Sequence, residues 1–181
     1  MIKPNIDRII KCYLRDISRA LKFNHDDRIS LYIVLENEFA ICSRVSVNPA
    51  LEKIGRGSYP INQGVIAKAW ERNIVFENNI PQYSKNNKKY LNYFQKYYNM
   101  PVNVTEKLSM KSHIYFGRRI HDHNKANPIG VIIVESIKKN KFDQAELEKV
   151  LKGDDEYIYE MLKSFKDYIP TPKRTQREDG F

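Results

Sequence analysis

The sequence is poor in cysteine and contains no long apolar run. Its two cysteines, Cys12 and Cys42, form no CxxC motif and lie far apart in the chain, which argues against a disulfide scaffold or a zinc site and favours a reducing cytoplasm. No apolar segment approaches the roughly 18 residues that a membrane helix needs, the longest being IGVIIV from Ile129. The N-terminal segment carries Asp7 among apolar residues and lacks a small-residue cleavage site, so no signal peptide is predicted.

Basic residues, in contrast, are abundant. Lysine and arginine number 31 against 22 aspartate and glutamate residues, for a net charge of +9, and such a charge favours an anionic partner, either a small molecule or a polymer. Since a general bias toward lysine and asparagine produces the same sum, clustering of the charges matters more than their total. With 181 residues, 41% of them apolar and 29% charged, the chain is predicted to form one globular domain.

The apolar spacing predicts a helix followed by a β-hairpin. Apolar residues recur every three or four positions from Ile6 to Leu21, which indicates an amphipathic helix, and its basic stripe is interpreted as a solvated face in preference to a membrane-binding one. The period then changes to two. Residues 29–35 and 39–47 predict antiparallel strands joined by a tight turn at Glu36-Asn37-Glu38. Cys42 falls in the second strand, where a small buried hydrophobe is expected.

The rest of the pattern predicts short helices and strands. VIAKAWER indicates a helix, IVFEN a strand, and YSKNNKKYLNYFQKYY a helix with aromatic and lysine side chains but no acid. SHIYFGRRI and IGVIIVES indicate strands, the second apolar on both faces and therefore central. A closing helix begins at Asp143 as its cap, with Phe142 as a hydrophobic staple, and Gly153 bends or splits it. Residues 170–181 are expected to be a disordered tail.

These elements predict an α+β domain. A central antiparallel sheet of about five or six strands would carry the N- and C-terminal helices on one face. Short helices and loops would cover a pocket on the other face. The N-terminal helix, within residues 1–26, is expected to belong to the same domain as residues 27–169.

Three of the seven glycines lie together in NPALEKIGRGSYPINQGVIAKAW, from Asn48 to Trp70. The segment contains no GxxxxGK[ST] motif and does not open a helix directly after a strand, which excludes a P-loop and a dinucleotide fingerprint. Glycine permits a positive backbone φ or a close approach of the backbone to another group. Both a pocket rim and plain turn chemistry without a ligand therefore fit the cluster.

The order of the segments resembles that of a GAF domain. RISLYIVLENEFAICSRVS is similar to the family's first hairpin, and YPINQGVIAKAW to the segment in which a glycine precedes a short helix behind the ligand pocket. KSHIYFGRRI and NPIGVIIVES are similar to its last two core strands and FDQAELEKV to the start of its closing helix, so that the resemblance covers Asp27 to Leu151. It implies that Gly55 and Gly57 turn the chain sharply at the pocket rim, that Pro60 stiffens the approach, and that Gly64 lets the next helix pack closely.

The functional residues known from GAF domains are mostly missing from the matching positions. Of the signature that the resemblance implies for cyclic-nucleotide binding, only Phe142 and Glu146 fall in place. Bilin-carrying members use a cysteine beside a histidine in the helical part of the pocket, where neither Cys12 nor Cys42 lies. The free methionine sulfoxide reductases of this fold use several pocket cysteines, which two cannot supply. No cofactor is expected.

Patterns for catalysis and metal binding are also missing. His121-Asp122-His123 resembles a metal pair, but no acid or cysteine at ligand spacing completes a site, so a polar hairpin turn is the preferred interpretation. His113 is expected to line the pocket, and a haem ligand is the less favoured interpretation of it. No nucleophile with a partnered histidine and no facing carboxylates are evident. The sequence therefore predicts a protein that is not an enzyme and holds no metal.

The aromatic helix is the most informative segment for function. Tyr90, Phe94, Tyr97 and Tyr98 fall on one side with lysines around them, and we interpret them as the roof of the pocket. The alternative is a basic nucleic-acid-binding protein that stacks bases on the aromatic helix at residues 83–98. The leading hypothesis is a non-catalytic sensor or regulatory module that binds a small, anionic, nucleotide-like ligand. The residues expected to contact this ligand are Arg44, Tyr59, Gln63, Tyr90, Phe94, His113 and Tyr115, with Trp70 packing behind them.

The apolar stripes of the first and last helices predict a partner surface. A homodimer through these helices is expected, and the signal would pass to a separate effector protein by a helix shift. A structural adaptor with an empty or filled pocket is a further alternative.

Overall fold

Six antiparallel strands form one sheet in the computed structural model, which describes residues 5–152 and 155–169. The strands are β1 (Asp27–Leu35), β2 (Glu38–Ser46), β3 (Ser58–Pro60), β4 (Ile74–Glu77), β5 (Ile114–His121) and β6 (Pro128–Ser136), in the spatial order β3-β2-β1-β6-β5-β4. The helices are α1 (Ile6–Ala20), α2 (Pro49–Glu52), α3 (Gly64–Arg72), α4 (Lys88–Tyr98), α5 (Val102–Glu106), α6 (Gln144–Leu151) and α7 (Asp155–Phe165), followed by a 3-10 turn at Lys166–Tyr168. None of the described helices is long and apolar enough to cross a membrane.

The two faces of the sheet carry two separate apolar cores, because successive strand residues point to opposite faces. Ile29, Leu31 and Ile33 of β1 belong to the first core, which α1, α6 and α7 cover. Tyr32 of β1 and Ile133 of β6 belong to the second, which α3 and α4 cover. The predicted α+β architecture, with the terminal helices on one face and the short helices on the other, is confirmed.

The predicted hairpin and the central strand are also confirmed. Leu35 of β1 lies opposite Glu38 of β2, and the two residues between them, Glu36 and Asn37, have φ angles of 50° and 67°. Two positive φ angles in a two-residue loop are typical of a type I′ turn, whose twist matches that of the flanking strands. The strand apolar on both faces is β6, which pairs with β1 on one side and β5 on the other.

The helix ends differ from the prediction in places. The Asp143 side chain accepts hydrogen bonds from the backbone N–H groups of Ala145 and Glu146 at 2.9 and 3.2 Å, so the expected cap of α6 is present. Helix α4 begins at Lys88 and not at Tyr83, and Ser84 donates to the backbone carbonyl of Asn86. Local bonding of serine and asparagine side chains competes with helix formation, which explains the later start. The short elements α2, β3 and α5 were not predicted. Gly153 and the expected tail at 170–181 lie outside the described residues.

The glycine cluster needs a correction. Gly55 and Gly57 do not have a positive φ, and a Cβ added to either would meet nothing within 4 Å, so neither glycine is required by a sharp turn or a close approach. Gly64, in contrast, has a φ of 85° and lies 3.7 Å from the Met100 sulfur, measured from the position of an added Cβ. A side chain is strained at that angle, because it belongs to the left-handed region that favours glycine.

Gly117 of β5 is required by close packing. A Cβ there would lie 2.6 Å from the Ala69 Cβ of α3 and 2.9 Å from the Ile133 Cδ1. We expect Gly117→Ala to lower the free energy of unfolding by about 1 to 3 kcal/mol, because α3 must move away from the sheet. Urea unfolding followed by circular dichroism measures this. Gly57→Ala is the control and should change the value by less than about 0.5 kcal/mol; a similar loss in both variants would contradict the packing argument.

Candidate functional site

A pocket lies between the second face of the sheet and α4. The first turn of α3 forms one wall through Gly64, Val65 and Ile66. Its volume is about 490 Å³ with its open mouth included, of which about 60 Å³ is available to the centres of water molecules. That is room for about four or five waters, with a combined liquid volume of roughly 120 to 150 Å³. The remaining lining residues are Arg28, Tyr32, Tyr59, Phe94, Met100, Leu108, Met110, Tyr115, Ile133 and Glu135.

A buried ion pair stands in the pocket wall. Arg28 of β1 lies directly opposite Glu135 of β6 in the sheet register. Its Nε and Nη2 both donate to Glu135 Oε1, at 2.7 and 2.6 Å, while Ser112 Oγ donates to Oε2 at 2.7 Å. Burial lowers the pKa of Arg28, but the Glu135 carboxylate outweighs this effect, so the pKa is raised above its usual value and the guanidinium stays charged.

Two further arginines approach the same wall. Arg44, only 3% exposed, donates from Nε to Ser30 Oγ at 2.9 Å and from Nη2 to the Tyr32 hydroxyl at 3.2 Å. Arg56 stacks over the Tyr59 ring, with its Cζ 4.4 Å from the ring centroid. None of the described carboxylates forms an ion pair with Arg44 or Arg56. Arg28 is the one of these three arginines that lines the pocket. Arg44 and Arg56 lie outside the lining, each in contact with a lining tyrosine.

Three of the seven residues expected to contact a ligand line this pocket: Tyr59, Phe94 and Tyr115. Burial raises the pKa of Tyr59 and of Tyr115 above the usual value for a phenol, so both hydroxyls stay protonated and able to donate. Arg44 lies directly behind the pocket wall, through its bond to Tyr32.

The other three expected residues support the site from outside its lining. The Tyr90 hydroxyl donates to the backbone carbonyl of Ser112 at 3.1 Å. His113 packs edge-on against the Tyr90 ring at 5.9 Å, and burial together with the neighbouring Lys139 lowers the pKa of His113. Gln63 accepts a hydrogen bond from Arg56 Nη2 at 2.9 Å.

Trp70 is only partly buried and contacts the Phe39 ring edge-on, with a centroid separation of 6.1 Å. Trp70 is not among the residues that line the pocket, and its expected position behind the ligand stays a prediction.

The ion pair was missed in the sequence, although a signal for it exists. Arg28 begins the polar face of β1, two residues before Ser30, and Glu135 interrupts the otherwise apolar run of β6. A charge in a central strand is rarely buried without a partner. What the sequence does not show is that these two charges face each other.

Groups suited to a metal or to thiol chemistry lie elsewhere. Among the described residues no three His, Cys, Asp or Glu side chains come together as a metal site. His121 Nε2 lies 3.0 Å from the Asn73 side-chain oxygen, and Asp122 accepts from the backbone N–H groups of Ala126 and Asn127, which is the geometry of a polar turn. Cys42 lies at the other side of β2, beside α1, where burial raises the pKa of its thiol.

Glu77 holds the helix that covers the pocket. Its Oε2 accepts hydrogen bonds from the Tyr93 and Tyr98 hydroxyls of α4 at 2.9 and 2.5 Å, and its Oε1 accepts from the backbone N–H of Asn79 at 2.8 Å. Phe94, on the same helix, lines the pocket. The Glu77 carboxylate on the edge strand β4 therefore holds α4 against the sheet.

We expect Glu77→Ala to lower the free energy of unfolding by about 1 to 3 kcal/mol, because the buried Tyr98 hydroxyl loses its acceptor. Backbone amides of α4 should then exchange faster in hydrogen–deuterium exchange mass spectrometry, since the helix opens locally. Glu71→Ala is the matched control, because Glu71 forms an exposed pair with Lys68 and such pairs contribute less than about 1 kcal/mol. Unchanged exchange in α4 of the Glu77 variant would show that Glu77 does not hold the helix.

Solved structures resemble this chain over most of its length. The GAF domain of an Acinetobacter phosphoenolpyruvate-protein phosphotransferase matches with a TM-score of 0.62 at 14% identity, over 94% of this chain and 89% of that one. The GAF domain of a two-component sensor histidine kinase from Bacillus halodurans matches with a TM-score of 0.52 at 14% identity, over 88% and 97%. No family model matches the chain, and no curated protein matches it by sequence. The chain has a GAF-like fold, as its sequence resemblance implied.

The comparisons also correct one expectation. A type II free methionine-R-sulfoxide reductase from Thermoplasma acidophilum matches with a TM-score of 0.59 at 16% identity, over 88% of this chain and 94% of that one. A second reductase of this kind, from Staphylococcus aureus, has the same fold. The prediction that the chain is not an enzyme was therefore wrong. It relied on missing catalytic patterns in the sequence, whereas the fold is shared with enzymes, and one fold hosts both kinds of function.

Proposed function

We propose that this chain is a sensory or regulatory domain of the GAF type that binds a small anionic ligand between its sheet and α4. The regulatory role is proposed by analogy, because the chain shares its fold with the GAF domain of a sensor histidine kinase. A single observation carries the ligand part: Arg44 is buried beside the pocket wall without a carboxylate partner among the described residues.

A buried cation without a counter-charge is costly, because it loses its hydration and gains no ion pair in return. Within the described part of the chain, Arg44 is held by neutral acceptors alone, namely Ser30, Tyr32 and the backbone carbonyl of Lys53. An anion bound against the Tyr32 hydroxyl would supply the missing negative charge. The unpaired N–H groups in the first turn of α3, which also line the pocket, favour the same sign of charge.

The size of the pocket favours a ligand smaller than the expected nucleotide. Its 60 Å³ is less than half of the roughly 150 Å³ of an engineered cavity that binds benzene. A nucleotide would require α4 to move away from the sheet. The nucleotide-like part of the prediction is therefore replaced here by a small anion of a few non-hydrogen atoms.

Native mass spectrometry of the purified protein, followed by thermal shift against small carboxylates, inorganic phosphate and nucleotides, tests the proposal. A bound ligand raises the melting temperature by an amount that grows with its concentration. We expect Arg44→Gln to lower the affinity for the anion that binds at least tenfold. Arg15→Gln, at an exposed position of α1, should leave this affinity unchanged. Equal affinity in both variants, or no binding by any anion, would contradict the proposal.

The burial of the aromatic residues argues against base stacking on α4. Tyr90, Phe94 and Tyr98 are at most 5% exposed, so their rings are not available to nucleic-acid bases. Within the segment 83–98, Tyr83 and Tyr97 are exposed, at 37% and 50%, and Tyr93 is partly buried. We therefore retain the small-ligand hypothesis in preference to nucleic-acid binding.

The homodimer remains a proposal, with α1 and α7 as its surface. Ile9 of α1 is 40% exposed and Tyr157 of α7 is 60% exposed, and the Tyr157 ring lies 6.4 Å from that of Tyr13 on α1. A second copy would cover these apolar side chains, and a shift of the two helices would carry the signal to an effector protein. Light scattering at micromolar concentration tests it: Ile9→Glu should convert a dimer to a monomer, and a monomeric parent protein would refute the dimer.

A further inference from the structure

We infer that the ligand is a zwitterion, a short α-amino acid or a molecule with the same amino carboxylate group, and that Glu135 accepts its ammonium group. This inference rests on the proposed function, since it names the chemical class of the anion in the same pocket. It is carried by the Arg28–Glu135 pair in the pocket lining, by Arg44 behind Tyr32, and by the apolar character of the remaining lining.

Glu135 retains capacity to accept a hydrogen bond. A carboxylate offers roughly four acceptor positions, and the described residues occupy three: Arg28 uses two on Oε1 and Ser112 uses one on Oε2. One position on Oε2 therefore remains, on a side chain that lines the pocket. An ammonium group is the donor that a carboxylate binds most strongly, because both partners are charged.

Arg28 retains donors as well. Its Nη1 makes only two long contacts, to the Leu51 carbonyl and to Ser109 Oγ, both at 3.4 Å, which is beyond the usual range for an N–H···O bond. With Arg44 behind Tyr32, the side of the pocket toward β2 is positive. The ligand carboxylate would bind beside Arg28, next to Glu135, which accepts the ammonium group.

The contact between the two charged side chains favours a ligand that carries both charges. Arg28 Nη2 and Glu135 Oε1 are 2.6 Å apart, so the positive and negative groups of the protein stand side by side. An α-amino acid likewise carries its ammonium and its carboxylate on one carbon atom. A phosphate group matches less well, because a second negative charge would meet Glu135 at short range.

The remaining lining accommodates a short apolar side chain. Met100, Leu108, Met110 and Phe94 also line the pocket, and methionine adapts its shape to a ligand more readily than other apolar residues. The space of about 60 Å³ limits the ligand to the smallest amino acids as the pocket stands. A longer side chain would require α4 to shift.

Isothermal titration calorimetry with matched ligands tests the inference on the unmodified protein. L-alanine is compared with propanoate, L-valine with 3-methylbutanoate and L-leucine with 4-methylpentanoate, so that each pair differs by the ammonium group alone. The amine 2-methylpropylamine completes the valine series. We expect at least one amino acid to bind tenfold or more tightly than its matched carboxylate, and the amine not to bind measurably.

The outcomes separate this inference from the proposed function. Carboxylates or phosphate that bind as well as or better than every amino acid would overturn the zwitterion and leave the anion-binding function standing. No binding by any of these ligands would overturn both.

Glu135→Gln provides the second measurement. The amide keeps an oxygen that accepts from Arg28 but removes the charge that attracts an ammonium group, so the preference for the amino acid over its carboxylate should fall at least tenfold. A preserved preference in a folded Glu135→Gln protein would show that another group receives the ammonium, and would overturn the assignment. If this variant does not fold, the comparison of each amino acid with its matched carboxylate on the unmodified protein still tests the inference.

Discussion

Replacing Glu135 alone by leucine is expected to lower the free energy of unfolding by about 3 to 5 kcal/mol, since Arg28 is then left as a buried charge without its partner. The two side chains are 8% and 4% exposed, so water does not replace the lost carboxylate. Arg28→Met alone should cause a loss of similar size, because it leaves Glu135 with Ser112 as its remaining donor.

The double variant Arg28→Met/Glu135→Leu is the decisive control. Replacing a whole buried ion pair by apolar residues of similar volume is often neutral or stabilising, because the desolvation of both charges disappears with them. We therefore expect the double variant to unfold within about 1 kcal/mol of the parent, by urea titration. A double variant as unstable as the sum of the single ones would mean that the two side chains act independently, which the contacts at 2.6 and 2.7 Å do not allow. A stable double variant would also indicate that the ion pair is not needed for folding, which favours a role in the pocket.

The second large effect is a loss of stability in alkaline solution. Burial is the main cause that raises the pKa of Tyr59, Tyr90 and Tyr115 above the usual value for a phenol. Below about pH 10 each tyrosine is protonated in both the folded and the unfolded chain, so nothing changes. Above pH 10 only the unfolded chain releases the proton, and stability falls as pH rises. Each buried tyrosine contributes about 1 kcal/mol between pH 10 and 11, and the three together roughly 3 kcal/mol.

Urea unfolding at successive pH values from 8 to 11 measures this loss, with the absorbance of tyrosinate near 295 nm as a second observable. Tyr59→Phe removes one titrating hydroxyl and should reduce the loss between pH 10 and 11 by about 1 kcal/mol. Phenolate absorbance from the buried tyrosines should appear together with unfolding and not before it. An unchanged decline in the Phe variant would show that the Tyr59 hydroxyl ionises freely in the folded protein.

Local patterns in the sequence were sufficient for the elements and their order. The alternation in residues 29–35 and 39–47 predicted the hairpin, and the two-residue turn at Glu36 and Asn37 confirmed it. The Asp143 cap was also predicted from the sequence, because capping depends on a side chain and the backbone two or three residues away. The later start of α4 was missed. The five residues Tyr-Ser-Lys-Asn-Asn before Lys88 continue the helical spacing of the aromatic residues, but they are not part of the helix.

The candidate site was only partly legible in the sequence. Tyr59, Phe94 and Tyr115 were predicted to contact the ligand and do line the pocket, but whether they bind a ligand remains a prediction. Gly55 and Gly57 looked like a pocket rim because glycine is compatible with a turn, yet neither has a positive φ. Glycine was required instead at Gly117, where α3 packs against the sheet, and nothing local in the sequence marks that contact.

By itself the sequence determined the α+β class, the resemblance to GAF domains and the two faces of the sheet, because the periods of helices and strands are read from neighbouring residues. Only the tertiary structure decided which charges meet and how much space remains between the sheet and α4. Arg28 and Glu135 are 107 positions apart, and their contact follows from the register of β1 on β6, which is set by the packing of the whole sheet. The size of the pocket likewise follows from how closely α4 packs, which is a sum of many contacts between distant segments.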